Sequence, residues 1–198
     1  MTDTTTSSTL YVVAFAAPPV RRIATPIRAA QAAGWDVCLI LSPSAHRWAQ
    51  EDPDPALGFD LDSLAKLTGH PVRHRYKLPS QSDVLPSPDA LLAAPLTCNS
   101  LNKWGAGISD TLALGLLTES MGMNKPVVAL PHFNAAQANQ RATAIHADRL
   151  REDGVTLLLG PGGFVPHPPR HSNPDTYPWA AALDALPDPT ALRTGRTA

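Results

Sequence analysis

Asn99 and the small polar residues around it are the part of this 198-residue chain best suited to chemistry. The apolar run that begins at Ala90 breaks abruptly into Pro95-Leu-Thr-Cys-Asn-Ser100. A side-chain amide both donates and accepts, so Asn99 could hold a carboxylate or the edge of a planar heterocycle. Asparagine is also among the best helix N-caps, and an apolar helical pattern opens at Leu101, so both roles stand open. Ser42, Thr97 and Ser100 add hydroxyls at the ends of two predicted strands. Helix N-termini beside them offer free N–H groups, which attract phosphate without any lysine. Local turn bonding is the competing role for these hydroxyls.

Other motifs carry less. Asn134 precedes an apolar helical pattern and Gln137 completes a capping box, although Pro131-His-Phe-Asn134 also lies at a strand's carboxyl end. Gly105, Gly107 and Gly115 would each cost about 1 kcal/mol inside a helix, which points to close approach of a ligand, a helix or a subunit. Of seven histidines, His70/His74 and His167/His171 have four-residue spacing but lie in proline-broken sequence, so no metal site is expected. His46 and His132 stand nearer strand ends and are candidates for acid–base work. Ala16-Ala-Pro-Pro19 replaces the glycines of a dinucleotide fingerprint, and no Gly-x-Ser-x-Gly elbow is present.

These residues need a sheet edge to bring them together. Leu10–Phe15 reads as a strand buried on both faces, followed by a helix to about Ala33, closure at Gly34 and a second strand over Trp35–Leu41. Thr25-Pro26 either starts a shorter helix or kinks a longer one. A helix begins near Ser44, the Glu51–Pro55 turn is the expected disordered loop of the first half, and Leu61, Leu64 and Leu67 mark a helix closed by Gly69. Val72–Tyr76 is a predicted third strand and Ala90–Ala94 a fourth. Beyond them follow a helix from about Ser100, a strand at Val127–Leu130, a long helix over Ala135–Glu152 and a strand at Val155–Leu159. Strands alternating with helices predict an α/β fold with a doubly wound sheet, whose ligands sit at the strands' carboxyl ends.

The whole chain sets further bounds. It is long enough for one core, with residues 1–9 expected as a disordered tail, 10–160 as the domain and 161–198 as a proline-rich extension. A balance of 16 Lys+Arg against 17 Asp+Glu gives no field to attract a nucleic acid. No apolar run is long enough to span a membrane, and Cys38 and Cys98 have no metal or redox spacing, which fits a cytoplasmic protein.

Pro95-Leu-Thr-Cys-Asn-Ser100 resembles the Pro-Ala-Ser/Thr-Ala-Asn-Thr motif of the flavoproteins that include phosphopantothenoylcysteine decarboxylase and the peptidyl-cysteine decarboxylases of lanthipeptide biosynthesis. Lys103, Gly107-Ile-Ser-Asp110 and Leu112 are similar to its continuation, and Lys125-Pro-Val-Val-Ala-Leu-Pro131 with Asn134 to the strand and start of its substrate motif. The resemblance implies a Rossmann-like three-layer sandwich with a mostly parallel sheet, FMN as cofactor and assembly as homotrimers or multiples of them. It places Ser42 by the phosphate and the Thr97, Cys98, Asn99 and Ser100 segment by the ring and ribityl chain. Pro95 and the first turn, Ala16 and Ala17, complete the cofactor contacts. Asn99 would orient a substrate carboxylate, and Asn134 and His132 would touch substrate. The implied reaction is oxidative decarboxylation of a cysteine-containing small molecule or peptide.

The chain also departs from that pattern. Gln81 stands where the decarboxylases carry an active-site histidine, with His74 the nearest upstream. Ala16-Ala17 replaces their Gly-Ser, and Pro131-His-Phe-Asn-Ala-Ala-Gln-Ala138 lacks their Met and Trp. Two alternatives follow: a non-catalytic, regulatory oligomeric subunit of the same fold, or an enzyme like the flavin prenyltransferases.

Overall fold

A strand that is apolar at every position is stable only where both of its faces are covered. In the computed structural model, which describes residues 7–194, β1 (Thr9–Ala14) meets that condition with all six residues buried. It pairs in parallel with β2 (Asp36–Leu41) from Thr9↔Asp36 to Ala14↔Leu41, and on its other side with β3 (Ala90–Leu96). β4 (Val127–Pro131) and the short β5 (Thr156–Leu157) complete one parallel sheet, ordered β2-β1-β3-β4-β5.

Alternate side chains serve opposite faces. Leu10, Val12, Leu39 and Leu92 pack beneath α1 (Ala24–Ala32), α2 (Pro43–Glu51) and α3 (Leu61–Thr68). Tyr11, Val13, Leu91 and Ala93 pack beneath α4 (Cys98–Gly105) and α5 (Leu112–Gly122). The remaining helices are α6 (Ala135–Ala138), α7 (Arg141–Glu152), α8 (Trp179–Asp184) and α9 (Pro189–Thr194). α7 joins the second face through Ala147 and Leu150, and α8 the first through Ala182. The result is the expected three-layer α/β sandwich with a doubly wound, Rossmann-like parallel sheet.

Local signals set the first crossover. A 3-10 turn at Pro18–Arg22 leads into α1, so Pro26 falls in the helix's first turn, where a missing N–H breaks no helical bond. Gly34, at φ 96°, turns the chain into β2.

Four expectations are corrected. Val72–Tyr76 is not a strand: Arg73 alone bridges Ile40, because a run carrying Arg73, His74 and Arg75 cannot be covered on both faces as this sheet requires. The helix expected after Ser100 is two, since Gly107 at φ 77° ends the first and Thr111 caps the second. The long helix over Ala135–Glu152 is also two, α6 and α7, separated at Asn139 and Gln140. The Glu51–Pro55 loop runs into an ordered turn in which Asp54 and Phe59 exchange backbone bonds of 2.9 Å.

Ser8 and Thr9 are buried, and residues 1–6 of the expected tail lie outside the described residues. The proline-rich segment from Pro161 folds back over the sheet: Phe164 and Tyr177 enter the first core, and Tyr177 Oη donates to Leu130 O at 2.5 Å. Gly105 allows α4 to meet α7, since a Cβ there would stand 2.5 Å from His146 Cβ and 3.0 Å from its backbone. Among the described residues, no helix is long and apolar enough to cross a membrane.

Candidate functional site

The chain leaves β1 toward one side of the sheet and β3 toward the other, so a crevice must open between their carboxyl ends. Phe15 N still donates to Pro95 O (3.1 Å) and Ser42 N to Ala14 O (2.8 Å), which holds the three strand ends together at its floor. Above them lies a cavity of about 370 Å³, bounded by the ends of β1, β2 and β3, by the first turns of α2 and α4, and by Asp110, Thr111 and Leu114. This size suits a small molecule or cofactor.

Each wall has a local cause. Ser42 caps α2 by accepting from Ala45 N at 3.3 Å, and Pro43 occupies the first helical position. Thr97 caps α4: Ser100 N donates to Thr97 Oγ1 at 3.2 Å, and Thr97 Oγ1 donates to Ser100 Oγ at 2.9 Å. Asn99 is therefore not the cap. It is the second residue of α4, exposed at the cavity, and among the described residues its side-chain amide has no hydrogen-bond partner. Solvent can satisfy an exposed amide, so it avoids the ~1–3 kcal/mol cost of a buried orphan and stays available to a ligand.

Lys103 Nζ donates to Asp110 Oδ2 at 2.5 Å across the α4–α5 loop, so this side of the cavity carries paired charge. Exposed pairs of this kind contribute ~0–1 kcal/mol, and the link orders the loop more than it stabilises the fold. Phe15 and Leu114 supply apolar surface opposite the hydroxyls.

Ala16, Ser42, Thr97, Asn99 and Ser100 thus meet at one cavity. Ala17 and Pro95 are buried outside its lining. Cys98 turns away toward α7, its sulfur 3.5 Å from Thr143 Oγ1 and 3.3 Å from Asn102 Nδ2. Asn134 caps α6 in a reciprocal box, accepting from Gln137 N (3.0 Å) while its own N donates to Gln137 Oε1 (3.1 Å). His132 is buried at the end of β4 among Phe164, His167 and Tyr177, and its Nε2 lies 3.2 Å from Ser172 Oγ. His46 stacks on His74 at 3.5 Å, and burial pushes both imidazoles below their usual pKa. Phe15, Lys103, Asp110, Thr111 and Leu114 were not among the expected site residues. Thr111 carried a cap signal, whereas nothing in sequence distinguishes Phe15 and Leu114 from core.

Two predictions follow from these environments. Thr97→Ala should lower stability by about 1 kcal/mol in urea unfolding, while Asn99→Ala stays within about 0.5 kcal/mol of the parent; equal losses would return the capping role to Asn99. Burial, then the neighbouring His167, pushes His132 down to about 4, against an unfolded value of about 6.5. The unfolded chain takes up this proton first as pH falls, so stability present above about pH 6.5 is lost toward pH 4. Between pH 7 and pH 5 His132 should contribute about 2 kcal/mol of the loss, and that share should be missing in His132→Phe; an undiminished slope in that variant would show that His132 is not its source.

The chain is similar to known proteins. Phosphopantothenoylcysteine decarboxylase of Mus musculus is 28% identical over 128 residues, 63% of this chain and 59% of the mouse protein, so the chain spans about three-fifths of that curated relative's length. The FMN-dependent cysteine decarboxylase TvaF of thioviridamide biosynthesis superposes with a TM-score of 0.61 at 22% identity, over 90% of this chain and 97% of its own. A dodecameric FMN-dependent UbiX-like decarboxylase from Escherichia coli O157:H7 gives a TM-score of 0.60 at 15% identity, over 76% and 78%. At such identities the structural likeness is one of fold. The Flavoprotein family model matches residues 16–173, from the first turn of the crevice through the segment that folds back over the sheet, and on that match the chain belongs to the Flavoprotein family.

Proposed function

We propose that the crevice binds FMN and that the protein catalyses oxidative decarboxylation of a cysteine-containing small molecule or peptide. The observation that carries this reading is the free amide of Asn99, which the Thr97 cap leaves unspent at the cavity. The donor set fits the cofactor. Ser42 and the N-terminal turns of α2 and α4 present hydroxyl and N–H groups suited to a phosphate and a ribityl chain. Phe15, Ala16 and Leu114 offer the apolar surface that a planar ring needs.

When bound, FMN supplies the electron sink that withdraws two electrons from the thiol-bearing carbon and so allows carbon dioxide to leave. The chain's own part is positional. Asn99 Nδ2 donates to the substrate carboxylate and fixes its direction, while the apolar wall limits access of water to the reacting carbon. Ala17, Pro95 and Cys98 lie outside the lining and serve the cofactor only by shaping the turns that carry it. His132 and Asn134, at the end of β4, contribute to substrate binding from the neighbouring strand edge. Assembly into trimers or multiples of trimers is part of this reading, supported by the dodecameric UbiX-like structure. Two free cysteines, Cys38 and Cys98, favour a reducing cytoplasm.

A second reading rests on a specific observation: among the described residues no histidine lines the cavity, and the first turn carries Ala17 in place of the serine hydroxyl of the resembling family's Gly-Ser. That composition favours an oligomeric subunit that keeps the scaffold without turnover. Purified protein should carry the blue-light absorbance of a flavin, identified as FMN after release. It should also remove carbon dioxide and two hydrogens from a peptide ending in cysteine, seen by mass spectrometry. Asn99→Ala should retain flavin and lose about 10²–10³-fold in kcat/KM. A stable oligomer with weak or absent flavin binding and no turnover selects the subunit reading, and a colourless protein that cannot be reconstituted with FMN contradicts the enzyme reading.

A further inference from the structure

The opposite edge of the sheet, at the amino end of β2, holds a second group of chemistry-bearing side chains. Asp36 opens β2 and Cys38 follows two residues later, so strand alternation puts both on one face. His70 reaches them from the turn that closes α3 at Gly69, and its Nε2 lies 2.8 Å from Asp36 Oδ1. The turn is held in place: His70 N donates to Thr68 Oγ1 at 3.3 Å, and Gln31 Nε2 donates to Leu67 O at 2.8 Å. The sulfur of Cys38 completes a triangle in which one ligand atom from each residue lies within 4.8 Å of the others. Cys38 is fully buried, whereas the Asp36 and His70 side chains are 34% and 23% exposed, so the group has a closed floor and an open mouth.

We propose that Asp36, Cys38 and His70 form a zinc site with a water in the fourth position. The donors are one carboxylate oxygen, one imidazole nitrogen and one thiolate sulfur. Calcium and magnesium prefer oxygen alone, whereas zinc takes this mixture in tetrahedral geometry. Three atoms within 4.8 Å of one another leave a centre about 2.8 Å or less from each, and a zinc–sulfur bond is about 2.3 Å. Closing that gap needs side-chain shifts of about half an ångström, within rotamer adjustment. On binding, the thiol gives its proton to solvent and the His70–Asp36 hydrogen bond yields to two metal bonds.

The structure also separates the histidines that sequence spacing paired. His70 goes to Asp36, while His74 stacks on His46. The metal would clamp the start of β2 to the end of α3, and with it the segment that reaches Ile40 through Arg73. Lying at the amino end of the strands, it is separate from the FMN crevice at their carboxyl ends.

The full-length protein, stripped with a chelator, reloaded with zinc and dialysed, should retain about one zinc per chain by elemental analysis. His70→Gln and Cys38→Ala should each retain at least tenfold less. Zinc in excess should raise Tm by about 5 °C in the parent and not in His70→Gln. Zinc-edge X-ray absorption should show one sulfur at about 2.3 Å among oxygen and nitrogen neighbours. Equal retention by the variants, scattering from oxygen and nitrogen alone, or no zinc retained by the parent would overturn the proposal.

Discussion

A parallel sheet must be covered on both faces, and most of this protein follows from that requirement. Helices have to lie on either side, so the chain must at some point change the side toward which it leaves the sheet. In the order β2-β1-β3-β4-β5 that change falls between β1 and β3. No crossover fills the gap it leaves at the carboxyl ends, and the first turns of α2 and α4 border the space. The crevice is thus a consequence of topology before any residue in it is specified.

What specifies it is the division of work at the start of α4. A helix N-terminus needs acceptors, and Thr97 and Ser100 meet that need between themselves. Asn99 is thereby released from a role that its residue type suits equally well. Lys103 and Asp110 then tie the loop that leads to Thr111, and Gly105 permits α4 to rest directly on α7. At the end of β4 the same residue types are used differently: Asn134 commits its side-chain oxygen to a capping box and His132 is packed neutral among aromatic rings. The two strand edges differ less in composition than in which polar atoms local structure leaves unspent.

Much of this was legible in the sequence wherever the cause is local. The apolar runs of β1 and β2, the turn at Gly34, the Ser42 terminus of α2 and the closure of α3 at Gly69 depend on neighbours within a few residues. Val72–Tyr76 misleads because alternation was visible while the need for covered faces, a property of the whole sheet, was not. The role of Asn99 was undecidable because Thr97 and Asn99 are both good caps, and only the true end of β3 at Leu96 separates them. Phe15 and Leu114 gave no signal, since a residue lining a cavity and one filling a core share the same chemistry. The packing of Tyr177 against Leu130, 47 residues away in sequence, was equally invisible from the proline-rich segment itself.

The central claim is that the crevice between β1 and β3 is the FMN site and that Asn99, which lines it, has an amide free to meet a ligand there. Titration of ¹⁵N-labelled protein with FMN, followed by a substrate peptide ending in cysteine, reads this directly from the side-chain amide resonances. The account predicts that the Asn99 amide shifts and saturates with FMN, whereas the Asn134 amide, outside the cavity lining, stays in place until the peptide is added. An Asn99 resonance unmoved by both ligands would contradict it.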